Sequence, residues 1–155
     1  MFRRLVECTV QGIGWADLDG NIVYMNPSLR RMLDLAQDVD VSGRLLHHFR
    51  PADATQVAGE MLSVARDPGS WSGEVPLLSE LGRVIPTRHD IHLLRDDAGT
   101  PIAFGCVITD LSQHKRHEQS LRESKSKYRA LVENIPQRVF YKDQQSRYLA
   151  VNRHY

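Results

Sequence analysis

The chain has 155 residues, 41% of them apolar and 25% charged, an ordinary composition for a globular protein. A formal net charge of +1 gives no general attraction for nucleic acid or an anionic membrane, and the two cysteines, Cys8 and Cys106, make neither a disulfide framework nor a close metal pair. No apolar run reaches the roughly 20 residues that span a bilayer, and the opening MFRRLVECTVQG lacks a secretory pattern, so a cytoplasmic location without membrane contact is expected.

Residues 2–11 have helical spacing and predict a short N-terminal helix. Gly14–Leu18 and Asn21–Asn26 predict two strands around Asp19-Gly20, a strong hairpin signal. Asn26-Pro27 supplies a helix cap followed by proline at the first helical position, and Leu29, Met32 and Leu33 form that helix's buried stripe. Ser42–Phe49 predicts another short helical piece. A longer helix is predicted from Pro51 to Arg66, with Val57, Met61, Val64 and Ala65 on one side, ended by Asp67-Pro68-Gly69. Three strands follow, Trp71–Leu78, Arg83–Leu94 and Pro101–Thr109, separated by turns at Glu80-Leu81-Gly82 and Asp96-Asp97-Ala98-Gly99. Helices kept together between antiparallel hairpins predict an α+β domain with the helices on one sheet face.

Gln113–Arg129 contains neither Gly nor Pro and carries six Lys/Arg against Glu118 and Glu123. It predicts a helical rod. A heptad phase aligns His114, His117, Leu121, Ser124, Tyr128, Leu131 and Ile135, a seam too polar for a strong isolated coiled coil. The interleaved Glu, Gln and Ser make the basic excess a solvated face rather than a nucleic-acid surface. Beyond the rod, Tyr128–Tyr155 repeats Phe2–Leu29 without a gap at an offset of 126. Seven positions are identical, among them Leu5/Leu131, Val6/Val132, Gln11/Gln137, Asp17/Asp143 and Asn26/Asn152. The expected organisation is a domain over residues 1–112, a connector helix over 113–127 and the start of a second copy over 128–155, in a fragment of a longer modular protein. The second copy holds too little structure to bury its apolar face. Val139, Phe140, Tyr141, Tyr148 and Leu149 are therefore expected to be disordered, docked on the first domain, or packed against another chain.

Several pieces in order resemble a PAS domain, the sensor module common in bacterial signalling proteins. They are Asp17-Leu-Asp-Gly20, Asn26-Pro27, Trp71-Ser-Gly-Glu74, Glu80-Leu-Gly82, Arg95-Asp-Asp-Ala-Gly99 and the exit motif Asp110-Leu-Ser-Gln-His-Lys115. The resemblance implies a five-stranded antiparallel sheet in spatial order 2-1-5-4-3, helices enclosing a pocket on one face, and an exit helix that carries a signal outward. It implies ligand binding or dimerisation rather than catalysis, with a histidine kinase, diguanylate cyclase or transcription regulator as output. A homodimer through the connector and N-terminal helices is the expected assembly.

The same resemblance directs Gly14, Ala16, Thr87, His89, Ile91, Phe104, Cys106 and Ile108 towards the pocket, with alternation placing the strand residues on common faces. Gly14 and Ala16 are small enough to leave room, and Thr87 and His89 are the polar members of a candidate small-molecule site. For His89 the alternatives are a core histidine bonded to backbone or water, or a solvent-facing one if the register slips by one residue. Cofactors in this family imply further tests. Ser42–Phe49 lacks the cysteine of flavin-adduct sensors, and Thr55–Arg66 lacks an axial histidine, leaving His47 and His48 as poor haem or metal ligands; neither cofactor is expected. Asp110 is the candidate cap that ties the last strand to the rod, and His114 and His117 are candidate relay residues whose charging at acidic pH opposes parallel association. No nucleophile, paired-carboxylate or phosphate-loop motif supports an enzyme. The competing reading is a ligand-free interaction module with a filled core.

Overall fold

The computed structural model describes residues 2–52, 55–67 and 69–154. The chain divides into two units, one running to Ser112 and the other from Gln113 onward. The first unit begins with α1 (Phe2–Cys8), β1 (Gly12–Ala16), β2 (Ile22–Met25) and α2 (Pro27–Met32). A short 3-10 helix (Leu46–Phe49) and α3 (Thr55–Arg66) form the helical middle. Then come β3 (Ser70–Glu74), β4 (Leu77–Leu78), β5 (Val84–Ile85), β6 (Thr87–Arg95) and β7 (Pro101–Asp110).

Five strands make one antiparallel sheet in the order β2-β1-β7-β6-β3, which is the predicted 2-1-5-4-3 arrangement. Register places Gly14 beside Cys106 and Ala16 beside Phe104, while Ile91 pairs with Cys106 and His89 with Ile108. One face therefore presents Ala16, Ile91, Phe104 and Ile108, all buried. Leu29 and Leu33 of the α2 segment pack over one half of it, and Met61 and Ala65 of α3 over the other. The opposite face carries a stacked Trp15–Tyr24 pair with ring centroids 4.0 Å apart.

One buried side chain organises the start of the fold. Asn26 Oδ1 accepts from the backbone N–H of Leu29 (2.9 Å), capping α2, and also from that of Ile13 (2.9 Å). Its Nδ2 donates to the carbonyls of Val6 (2.9 Å) and Gln11 (3.1 Å). Both halves of the amide are thus used, and α1, β1 and α2 are tied at one point. The same junction explains why the first helix stops at Cys8 rather than residue 11, and why β1 starts at Gly12 rather than Gly14. Gln11 and Ile13 must be extended to reach it.

Other departures from the sequence reading have equally local causes. Pro76 and Pro86 lack an N–H, so each predicted long strand breaks there, and β4 pairs with β5 around the Glu80–Gly82 turn. Only Leu46–Phe49 of the predicted Ser42–Phe49 helix is helical. The Arg44 carbonyl accepts from Ile22 N–H and Gly43 N–H reaches the Ile22 carbonyl, so this stretch lies along the end of β2 instead. The helix predicted from Pro51 is described from Thr55; Asp53, Ala54 and Pro68 lie outside the described residues, as does the Val57 side chain. Val64 is 47% exposed, contrary to expectation, because it is rotated about 60° from Met61 on the side away from Ala65.

In the second unit, α4 (Ser112–Asn134) follows β7 after a single residue and runs past the predicted end of the connector at residue 127. β8 (Phe140–Lys142) and β9 (Tyr148–Val151) then form a hairpin. The repeat holds in atomic detail. Asn152 Oδ1 accepts from Val139 N–H (2.9 Å), and Nδ2 donates to the Val132 (3.2 Å) and Gln137 (2.8 Å) carbonyls. Asp17 Oδ1 accepts from Asn21 N–H (2.8 Å), and Asp143 Oδ1 from Arg147 N–H (2.9 Å), shifted by the same offset. Phe140, Tyr141, Tyr148 and Leu149 lie in this hairpin and are each more than half exposed.

Asn26 supplies a test of the junction. Asn26→Ala is expected to cost on the order of 2–4 kcal/mol, from a lost cap plus unsatisfied backbone groups. Asn26→Asp is expected to cost nearly as much, since a carboxylate caps well but cannot donate to Val6 and Gln11. Urea denaturation checks both; an Asp variant as stable as the parent would reduce the junction to a simple helix cap.

Candidate functional site

Between the sheet and its helical cover lies a cavity of about 40 Å³. Its floor comes from Gly14 and Ala16 of β1, His89 and Ile91 of β6, and Phe104, Cys106 and Ile108 of β7. These are seven of the eight pocket residues expected from the sequence. The eighth, Thr87, is buried just behind His89 and does not line the cavity. The cover comes from Met25, Leu29, Leu33, Phe49, Arg50 and Leu77, none of which the sequence reading singled out for the site. Their inward direction depends on how α2 and the 3-10 segment pack, which no local periodicity reports. Gly14 plays a different part from the one expected. A Cβ there would meet the Tyr24 carbonyl at 2.9 Å and Leu29 Cδ2 at 3.2 Å, so its missing side chain admits α2 rather than a ligand.

The floor contains a short polar chain. The Thr87 hydroxyl donates to the Val75 carbonyl, which leaves its oxygen to accept from His89 Nε2 at 2.9 Å. That assigns the proton of the neutral imidazole to Nε2 and leaves Nδ1 as an acceptor, 3.8 Å from Cys106 Sγ. The chain is complete only with every member neutral. Burial, and then the positive field of Arg50, push His89 down to about 4. Burial likewise pushes the Cys106 thiol up to about 12, although Arg50 opposes it. That direction disfavours the thiolate on which nucleophilic attack by Cys106 would depend.

Arg50 is different. It is only 5% exposed, it lines the cavity, and its Nε and Nη1 meet no hydrogen-bond partner. Burial pulls its guanidinium below the ordinary value. The only sequence signal at this position was a charged residue between the apolar Phe49 and Pro51, which is too little to place it inside.

The relay candidates lie elsewhere. Asp110 ends β7, and its Oδ1 accepts from Ser112 N–H at 2.7 Å, satisfying a first-turn donor of α4. His114 and His117 are exposed on α4, as are the seam residues Leu121, Tyr128 and Leu131. The exposed His48 bonds the backbone of Leu45, and the His47 side chain lies outside the described residues. Among the described residues no three His, Cys, Asp or Glu side chains group as metal ligands, and no helix is long and apolar enough to cross a membrane.

The buried histidine makes stability depend on pH in a definite direction. Unfolded, it titrates near 6.5, and folded at about 4. Between these values the unfolded chain binds a proton that the folded chain refuses. Its contribution is therefore whole above pH 6.5 and is lost as pH falls towards 4, up to on the order of 3 kcal/mol. Urea denaturation at pH 7 and pH 4.5 is expected to show a smaller loss for His89→Gln than for the parent; equal losses would remove His89 from the acid response.

Comparison with known proteins agrees with this geometry. No curated protein sequence matches the chain. Solved structures share the fold. A PAS domain from Colwellia psychrerythraea superposes with a TM-score of 0.65 at 16% identity, covering 72% of this chain and 95% of that one. A PAS domain from a two-component sensor histidine kinase gives 0.58 at 15%, covering 70% and 92%. A PAS domain of a LuxR-family transcriptional regulator from Burkholderia thailandensis, described in complex with ethanol, gives 0.60 at 17%, covering 72% and 98%. A family model described as PAS fold matches residues 6–116, most of the chain, and the chain belongs to that family.

Proposed function

We propose that the first unit is a sensory input module. A small molecule enters the cavity, and its occupancy is relayed through β7 into α4 towards an output domain such as a histidine kinase, diguanylate cyclase or transcription regulator. One observation carries this reading. Phe104, Cys106 and Ile108 line the cavity from the strand whose last residue, Asp110, bonds the first turn of α4. A displacement of β7 by an occupant acts on that turn with one intervening residue, Leu111, which is itself held to the Pro86 carbonyl (2.8 Å). The occupant biases α4 only if it favours one arrangement of β7 over another. The ethanol complex of the Burkholderia thailandensis domain supports an occupant of few atoms in this fold.

In the assembly proposed with this reading, two chains associate through their connector and N-terminal helices. The exposed seam of Leu121, Tyr128 and Leu131 on α4 supports it. A second reading, a dimerisation spacer without a ligand, is favoured by the small size of the cavity and by its packed surroundings of Phe104, Leu33 and Met61, each at most 2% exposed. In both readings the unit is non-catalytic.

Native mass spectrometry combined with hydrogen exchange separates them. The sensory reading expects a bound small-molecule mass, carried through purification or added back, and slower amide exchange in 112–117 when it is present. An empty protein in which exchange of 112–117 ignores every added small molecule would favour the spacer.

A further inference from the structure

Among the described residues, the exposed arginines Arg44, Arg83 and Arg88 each face a carboxylate, from Glu80, Asp34 and Asp90. Arg50 is buried, where a counter-charge matters most, and no described ion pair includes it. An arginine does not shed its proton to escape this cost, and it has five N–H donors and no acceptor. Among the described residues, the polar groups lining the cavity with Arg50 offer no negative charge. The Thr87–His89–Cys106 chain ends on the Val75 carbonyl and is complete when neutral. Buried polar atoms without partners are rare in native proteins, and a missing ion or ligand is one established reason for them.

We infer that the cavity takes a small monocarboxylate, its two oxygens on the Arg50 guanidinium and its short apolar tail against Ile91, Phe104 and Ile108. This rests on the reading of the cavity as a ligand site and names the class of ligand. A planar guanidinium matches a carboxylate with two parallel N–H···O bonds. The apolar walls supply no second cation, so a phosphate or a dicarboxylate leaves buried charge uncompensated. Size restricts the tail. A cavity of about 40 Å³ leaves room only for a short tail, as in acetate or propionate.

The test uses the whole 155-residue chain in low-chloride buffer, titrated calorimetrically with sodium propionate, propionamide and 1-propanol. Propionate is expected to bind at least about tenfold more tightly than either neutral analogue, and Arg50→Gln to lose at least about tenfold in propionate affinity while changing propanol little. Should Arg50→Gln fail to fold, Arg50→Lys and the parent protein decide. Equal binding of propionamide and propanol would overturn the carboxylate assignment while keeping a ligand site. Chloride or phosphate binding as tightly as propionate in the same calorimetric titration would also overturn it. No binding by any of the three, with an empty cavity in native mass spectrometry, would remove the ligand reading and this inference together.

Discussion

Asn26 fixes where three elements meet, and much of the remaining architecture follows from that meeting point. Its amide uses two acceptor directions and two donors on backbone groups of Val6, Gln11, Ile13 and Leu29. Holding Ile13 sets the start of β1, whose pairing with β7 then brings Gly14 beside Cys106 and Ala16 beside Phe104. Capping α2 at Leu29 aims that helix so that Leu29 fills the space over Gly14. The cavity is the volume left between these two consequences. Asn152 repeats the part of this junction that ties the preceding helix to the first strand, accepting from Val139 N–H and donating to the Val132 and Gln137 carbonyls.

The interior combines a satisfied set of polar groups with an unsatisfied one. Thr87, His89 and Cys106 satisfy one another without carrying charge, a design that costs little to bury. Arg50 has no such arrangement, and an unpaired buried ion is strongly destabilising in the absence of a partner. A module held in this condition gains stability from whatever supplies the missing charge, since anything that binds only the folded state stabilises it by mass action. In the proposed sensory reading, occupancy is coupled to the packing of the helical cover, because Arg50 directly follows the 3-10 helix, and through β7 to α4.

How much of this the sequence revealed depended on the range of the interactions. The hairpins and the Asn26 cap were legible because turns, caps and alternation are local signals; the strand order and the exit motif came from the resemblance to PAS domains, and the self-match at residue 128 identified the second hairpin before any coordinates. The breaks at Pro76 and Pro86 were also legible in principle, since a proline cannot donate within a strand, and a stricter use of that rule would have found them. Alternation placed His89, Ile91, Phe104 and Ile108 on the cavity floor. The cover was not readable in this way. Phe49, Arg50 and Leu77 reach the cavity from the end of the 3-10 helix and from the short β4, whose course is set by contacts distant in sequence, such as the Arg44 carbonyl with Ile22. Gly14 shows a subtler limit, because a small residue marks a close approach without saying whether a helix or a ligand makes it.

The account depends most on Arg50 facing an enclosed space that calls for an anion. A high-resolution crystal structure of the protein as purified tests this directly. It is expected to show density for a few non-hydrogen atoms within hydrogen-bond distance of the Arg50 guanidinium, extending towards Phe104 and Ile108. A guanidinium turned out to solvent, or bonded to a protein carboxylate, over a space closed by side chains would contradict it.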